Sequence, residues 1–310
     1  MNKFLTQIVD SKIVQKPLTF SKRIIIPGFD GMPLFDVLVF LIKGLRQNSL
    51  TTRASSLAFR FFLALFPMII FLLSLLPYIP IQDFYHELLL ILKGLLPKEA
   101  YRASAETIDD LFNKQHNALL SFGFLFAIYL ASDGVNAMIL AFQSSYHVTK
   151  KASFIKQRLS SLLLLVILTL LMIFAVGLIV FSEVFISYLI NHNILTDGLS
   201  IILLNIGKLI ILLLIFLLGI SSIYYIGSLG NRGFKFISAG STLATLLAIL
   251  LSVGFAFYVN NFATYNKIYG SIGTLIVIML WLYFNSLVLL IGFELNASID
   301  HAKEVKLNNH

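Results

Sequence analysis

Five ionisable side chains lie within or at the ends of long apolar segments of this sequence: Arg60, Asp133, Glu183, Lys208 and Glu294. A charged side chain in a bilayer costs at least about 2.5 kcal/mol on insertion scales, so each of them needs a partner or a water-filled cavity. They could therefore bind a polar or anionic group, or pair with one another to hold helices together.

Three of these charges have a simple structural interpretation as well as a functional one. Arg60 follows Arg53 by seven residues on the same helix face and could extend to the cytoplasmic interface. Glu294 could pair with Arg53 or Arg60, or could only mark the interface. Glu183 is interpreted as an interfacial anchor rather than as a ligand.

Lys208 lies about 14 Å into an apolar segment, with Asn205 one turn away. Its ammonium group could attract a carboxylate or a lipid phosphate, could lose a proton on burial, or could pair with Glu183. The Asn- and Tyr-rich segment at 258–271 could form the outer mouth of the same cavity, although tyrosines are also common at membrane interfaces. The candidate polar cavity comprises Arg60, Asn205, Lys208, Asn260, Tyr265, Asn266, Tyr269, Asn285 and Glu294.

The sequence contains none of the common catalytic signatures. There is no Walker A sequence, no dinucleotide fingerprint, no His-Glu-x-x-His zinc motif and no G-x-S-x-G serine setting. The 6 histidines are scattered, and the absence of cysteine excludes disulfides and thiolate metal sites. We therefore expect no catalytic residues, metal, cofactor or enzymatic activity.

The composition is that of a membrane protein. The chain is 58% hydrophobic and only 12% charged, with a mean hydropathy of +0.90, whereas soluble domains carry about 25% charged residues. Apolar segments long enough to cross a bilayer predict an all-α polytopic protein with six transmembrane helices. These spans are predicted at 54–78, 117–142, 159–182, 199–226, 236–259 and 271–293.

Three residues are predicted to interrupt these helices. Pro67 should kink the first span, and Asp133 with Gly134 should break the second. In the fifth span, Gly240, Ala244 and Ala248 recur at the spacing that lets helix backbones approach closely, although composition alone could also account for them.

Lysine and arginine are unevenly distributed among the connecting segments. Of the 23 basic residues, 16 lie in the N-terminal segment through Arg53, in 147–158, in 228–236 and in the C-terminal tail. The positive-inside rule then predicts that both termini are cytoplasmic. The basic cluster Lys150, Lys151, Lys156 and Arg158 could touch RNA, but on a cytoplasmic loop it is better suited to anionic lipid headgroups.

The chain is predicted to divide into a basic cytoplasmic arm at 1–34, a transmembrane domain at 35–300 and a cytoplasmic tail at 301–310. Within the domain, residues 34–46 should form an amphipathic helix at the cytoplasmic interface. The loop at 81–116 should be external and contain one helix. The predicted partners are the bilayer and its anionic headgroups. We expect no nucleic acid, and a homo-oligomer or a protein partner is left open.

Three segments resemble the YihY/BrkB family of bacterial inner-membrane proteins: TTRASSLAFRFFLALFPMIIFLLSLLP, ASDGVNAMILAFQSSYHV and YVNNFATYNKIYGSIGTLIVIMLWLYFNSLVLLIGFELNASI. The resemblance covers about 35–300 and implies a six-helix membrane protein. The family has carried the label ribonuclease BN and names tied to virulence, and transport has been proposed for it. The family-like elements are Pro67, Gly134, Asn260, Tyr265, Asn266, Tyr269, Gly270, Ser271, Gly273, Trp281, Tyr283, Glu294 and Asn296.

These observations favour a non-ATP-driven transporter or lipid-handling protein of the bacterial cytoplasmic membrane. A non-transporting scaffold or assembly partner is the second hypothesis, and a membrane-tethered nuclease is the third. A polar cavity that reaches the middle of the bilayer would favour transport, whereas a solid core would favour the scaffold.

Overall fold

The computed structural model describes residues 28–47, 49–75, 117–145, 153–192, 198–229, 237–261 and 271–308. Their regular elements are seven α-helices: α1 Leu34–Gln47, α2 Leu50–Leu75, α3 Asn117–Gln143, α4 Phe154–Asn191, α5 Gly198–Gly227, α6 Ala239–Asn261 and α7 Ser271–Asn308. The external loop helix predicted at 81–116 lies outside the described residues.

Within the described residues, five of the helices are long and apolar enough to cross a membrane. Their candidate spans are Ser121–Gln143, Phe154–Asn191, Ile202–Gly227, Ala239–Val259 and Leu275–Lys306. The all-helical polytopic prediction is therefore confirmed in outline. The described part of α2 carries both Arg53 and Arg60 and is not one of the five.

The predicted break at Asp133 and Gly134 is wrong, whereas the predicted kink at Pro67 stays a prediction. Helix α3 continues through Asp133 and Gly134, and α2 continues through Pro67. Proline within a helix removes one backbone hydrogen bond, but here it does not end the helix. The local sequence suggested a break at Gly134, but a Cβ there would lie 3.1 Å from the Phe61 ring. Glycine is thus favoured by close packing of α3 on α2.

The described residues divide into two compact units. The smaller is Phe59–Gly134, and the larger comprises the segments before and after it. In the larger unit α7 packs against α6 and α1, and α5 packs against α4 and α6. Helix α7 continues past the predicted sixth span to Asn308, so most of the predicted tail is helical.

Helix α1 packs on the C-terminal part of α7. A small core forms between the turn before α1, α1 itself and α7, and consists of Phe29, Met32, Val37, Leu295, Ile299 and Ala302. The ring of Phe40 meets His301 edge to face at 5.0 Å. The predicted helix at 34–46 is therefore confirmed, and one of its faces contacts protein.

Candidate functional site

A fully buried carboxylate is the centre of the strongest polar cluster in the larger unit. Glu294, in α7, has a side chain that is 0% exposed, and one of its oxygens accepts a hydrogen bond from the Arg53 guanidinium at 2.7 Å. Its second oxygen accepts a hydrogen bond from the Ser145 hydroxyl at 2.7 Å. The predicted partnership of Glu294 with an arginine is confirmed, and Arg53 is that partner.

Arg53 lies in the first turn of α2 and also reaches the end of α3. Its second terminal nitrogen donates to the carbonyl oxygen of Ala141 at 2.8 Å, which is one of the last α3 carbonyls that lack an intrahelical partner. The guanidinium therefore joins the start of α2, the end of α3 and α7. Its Nε is buried and has no hydrogen-bond partner among the described residues. One donor of the cluster is therefore unsatisfied.

A stack of aromatic rings includes Phe293, the residue before Glu294 in α7. The rings of Phe293 and Phe142 stack in parallel at 4.2 Å, and Tyr224 meets Phe142 edge to face at 5.8 Å. The Tyr224 hydroxyl donates to the carbonyl oxygen of Leu289 at 2.9 Å. Helices α3, α5 and α7 thus pack closely on one another through these rings.

Helices α6 and α7 cross through glycines. A Cβ on Gly292 would lie 2.7 Å from the carbonyl oxygen of Gly240 and 2.8 Å from the Cβ of Ala244. Ala244 is 0% and Ala248 is 6% exposed. The predicted packing role of the small residues in the fifth span is confirmed.

An amide side chain fixes the start of α6 at this crossing. Asn296 accepts a hydrogen bond from the backbone N–H of Gly240 at 2.8 Å and donates to the Ser238 hydroxyl at 3.0 Å. Ser238 and Ser241 also exchange backbone and hydroxyl hydrogen bonds in the manner of a capping box. Sequence reasoning missed this role, and the only signal was the position of Asn296 in the family-like Glu-Leu-Asn-Ala element.

In the smaller unit, Arg60 pairs with Asp133 at 2.5 Å, with side chains 40% and 31% exposed. Both residues were noted in the sequence as charges within apolar segments, but their pairing was not predicted. Arg60 was expected to extend to the interface or to join the cavity, and both remain predictions, while its guanidinium donates a hydrogen bond to the Asp133 carboxylate on α3.

Of the nine residues predicted to line a polar cavity, the structure describes the side chains of five, so the cavity as a whole stays a prediction. Glu294 is enclosed in its ion pair, Asn205 is exposed, Lys208 is partly buried, and the Asn285 amide donates to the Trp281 carbonyl of its own helix at 2.8 Å. The side chain of Asn260, like Tyr265, Asn266 and Tyr269, lies outside the described residues. The side chain of Glu183 does too.

One pocket among the described residues of the larger unit is apolar. It is a groove of about 710 Å³ between α6 and α7, lined by Leu247, Leu250, Leu251, Gly254, Phe255, Tyr258, Leu280, Phe284 and Val288. A Cβ on Gly254 would meet nothing within 4 Å, so the missing side chain leaves open space in the wall. The groove follows two of the candidate membrane spans.

The basic cluster is only partly described. Lys150 and Lys151 lie outside the described residues, whereas Lys156 donates to the carbonyl oxygen of Leu229 at 2.8 Å. Its ammonium group thus binds a carbonyl just after the end of α5, and the backbone of Arg158 accepts a hydrogen bond from Ser161. Among the described residues, no three His, Cys, Asp or Glu side chains are grouped to hold a metal.

Comparison with known proteins places these features in a family. The model of the family described as virulence factor BrkB matches residues 41–310, so the match includes the tail that the resemblance had left out. The chain is 31% identical over 261 residues to a putative ribonuclease-like protein of Bacillus subtilis, covering 83% of this chain and 93% of that one.

Shorter matches occur with proteins described as UPF0761 membrane proteins. That of Tolumonas auensis is 42% identical over 60 residues, which is 19% of this chain and 20% of the relative. That of Pseudoalteromonas translucida is 37% identical over 67 residues, which is 22% of each chain. No solved structure matches. The chain belongs to the BrkB family of membrane proteins.

Proposed function

We propose that this protein handles lipids in the bacterial cytoplasmic membrane without ATP and without catalysing a reaction, and that the groove between α6 and α7 receives an acyl chain. The groove is the observation that carries the proposal. Its volume is in the range of about 300–1,000 Å³ that is typical of ligand sites, and its walls are aliphatic and aromatic.

The paired polar groups favour lipid over a polar solute. A pathway for ions or sugars needs polar groups that remain available to the substrate. Glu294 is instead saturated by Arg53 and Ser145, and Asp133 is paired with Arg60. The absence of a Walker A sequence supports a role that is not driven by ATP.

The glycine in the groove wall gives a direct test. Gly254→Leu should fill the groove without a clash, because a Cβ there meets nothing within 4 Å. Photo-crosslinking of the purified protein to phosphatidylethanolamine with a diazirine in its acyl chain should then fall several-fold. Gly207→Leu in α5 is the matched control, since a Cβ there also meets open space and Gly207 does not line the groove. Equal labelling of both variants would refute the proposal.

A scaffold role is the alternative, and the packed core around Glu294 favours it. The stacked Phe142 and Phe293 rings and the buried ion pair hold helix ends rigidly, as an assembly platform requires. A scaffold would retain its phenotype in cells when Gly254 is replaced by leucine, whereas a lipid-handling protein would lose it.

Six spans with cytoplasmic termini remain part of the proposal, with α2 as the sixth span beside the five candidates. In that topology the segment before α4 with Lys150 and Lys151, and the start of α4 with Lys156 and Arg158, face the cytoplasm, where anionic headgroups are their proposed partner. Lys156 contributes only in part, because its ammonium group already binds Leu229.

The printed name of the Bacillus relative raises the nuclease alternative for this chain. Purified protein should show no RNA turnover above contaminant level, with replacement of the basic residues at 150–158 as the matched control. Turnover that is lost in that variant would refute the non-enzymatic part of the proposal.

A further inference from the structure

Helix α1 has two apolar faces, and only one of them is covered by the part of the chain that the structure describes. Val37 is 0% exposed, and Phe40 and Leu41 pack beside it against the core shared with α7. On the other side, Leu38, Val39 and Ile42 are 40%, 45% and 49% exposed. Three large exposed apolar side chains on one short helix mark an interaction surface rather than a solvated face.

The uncovered side chains form a continuous arc. With 3.6 residues per turn, Leu38, Ile42 and Val39 lie within about 100° of one another around the helix axis. Lys43 is exposed at the edge of this arc, and the covered residues lie on the opposite side. An apolar arc bordered by a cation is the pattern of a helix that lies in a membrane interface.

The position of α1 along α7 supplies the second argument. The apolar part of α7 begins at Leu275. About 20 residues at 1.5 Å each are needed to cross the hydrocarbon core, so the core should end near Glu294. The α7 residues beneath α1 are Leu295, Ile299 and Ala302, and they follow directly. Helix α1 is therefore held at the depth of the headgroups.

We propose that the outward arc of α1, formed by Leu38, Val39 and Ile42, inserts into the boundary between headgroups and acyl chains. The occupant of this face is the lipid bilayer itself, because the α7 residues that hold α1 directly follow the apolar part of α7 that is long enough to cross the hydrocarbon core. Docking on α7 fixes the rotation of α1, so that this arc, and not the Val37 face, meets lipid. The inference is independent of what the groove binds.

The absence of cysteine allows a clean experiment on the full chain. Ile42→Cys and Lys43→Cys would each carry a nitroxide label, in protein reconstituted into vesicles of phosphatidylethanolamine and phosphatidylglycerol. Oxygen concentrates in acyl chains and a nickel chelate in water. The ratio of oxygen to nickel accessibility should be several-fold higher at 42 than at 43, and Leu38→Cys and Val39→Cys should resemble 42.

Two results would overturn this proposal. High nickel accessibility at both 42 and 43 would show a face exposed to water. An immobilised label at 42 with low access to both reagents would show that protein covers the arc, either a second copy of the chain or another partner. Agreement among the three arc positions keeps the conclusion from depending on one variant.

Discussion

Arg53 and Glu294 are 241 positions apart in the sequence, and their side chains meet at 2.7 Å. The carboxylate is 0% and the guanidinium 10% exposed, so water contributes little to either charge. Burial of one charge alone would be expensive, because desolvation is repaid only by the partner and by further hydrogen bonds. The pair therefore holds the start of α2 on α7 only while both charges are present, because loss of either one leaves the other buried without its partner.

Removal of one partner should be strongly destabilising. We expect Glu294→Leu to lower the free energy of unfolding by about 3–5 kcal/mol, because it leaves Arg53 buried and unpaired. The double variant Arg53→Met with Glu294→Leu should recover most of that loss. Thermal or denaturant unfolding in detergent would measure both, and a double variant as unstable as the sum of the single changes would contradict the prediction.

The crossing of α6 and α7 should not tolerate even one added methyl group. Gly292→Ala places a Cβ within 2.8 Å of the Ala244 Cβ, and such overpacking costs about 1–3 kcal/mol. Gly207→Ala is the control, because a Cβ there meets nothing within 4 Å and alanine is the better helix former. We expect a lower melting temperature for the first and an unchanged or higher one for the second.

The helices were predictable because bilayer thickness dictates their length and composition. The sequence also predicted that Glu294 could pair with Arg53 or Arg60. The uneven distribution of basic residues predicts that all three side chains lie near the same side of the membrane. The predicted break in the second span was wrong because it relied on the local helix propensity of two residues alone. Asp133 and Gly134 are typical of a turn, yet α3 continues through them, because Arg60 binds the carboxylate and Phe61 occupies the space beside the glycine.

The hydrogen-bond partners of Asn285 and Asn296 could not be predicted from the sequence either. Asn285 was expected to point into a cavity, but its amide binds a carbonyl one turn earlier in its own helix, as a polar side chain in a helix often does. Asn296, which was noted only as a family-like residue, holds the start of α6. Such contacts depend on helix rotation and register, which a hydropathy pattern does not determine.

The Arg60–Asp133 pair should matter less to stability than the Arg53–Glu294 pair. Its side chains are 40% and 31% exposed, so screening reduces the benefit of the pairing. Asp133→Asn should therefore lower the free energy of unfolding by much less than Glu294→Leu does. The charge-swapped variant Arg60→Asp with Asp133→Arg should be more stable than either single change, and in the same unfolding assay a swap that is the least stable of the three would disprove a direct pairing.

The orientation of the chain can be decided at the two ends of α4. This helix has 38 residues, or about 57 Å at 1.5 Å per residue, which exceeds the roughly 40–45 Å of a bilayer with its headgroups. Ser153 directly precedes the first residue of α4, and Asn193 follows soon after its last residue, so the two positions should lie on opposite sides of the membrane. The excess of basic residues near Ser153 predicts that this end of α4 is cytoplasmic.

The chain contains no cysteine of its own, so single cysteines can be introduced at these two positions. In intact cells, a membrane-impermeant maleimide should label Asn193→Cys at once and Ser153→Cys only after permeabilisation. Labelling of both from outside would exclude the crossing, and labelling of Ser153→Cys alone would invert the topology.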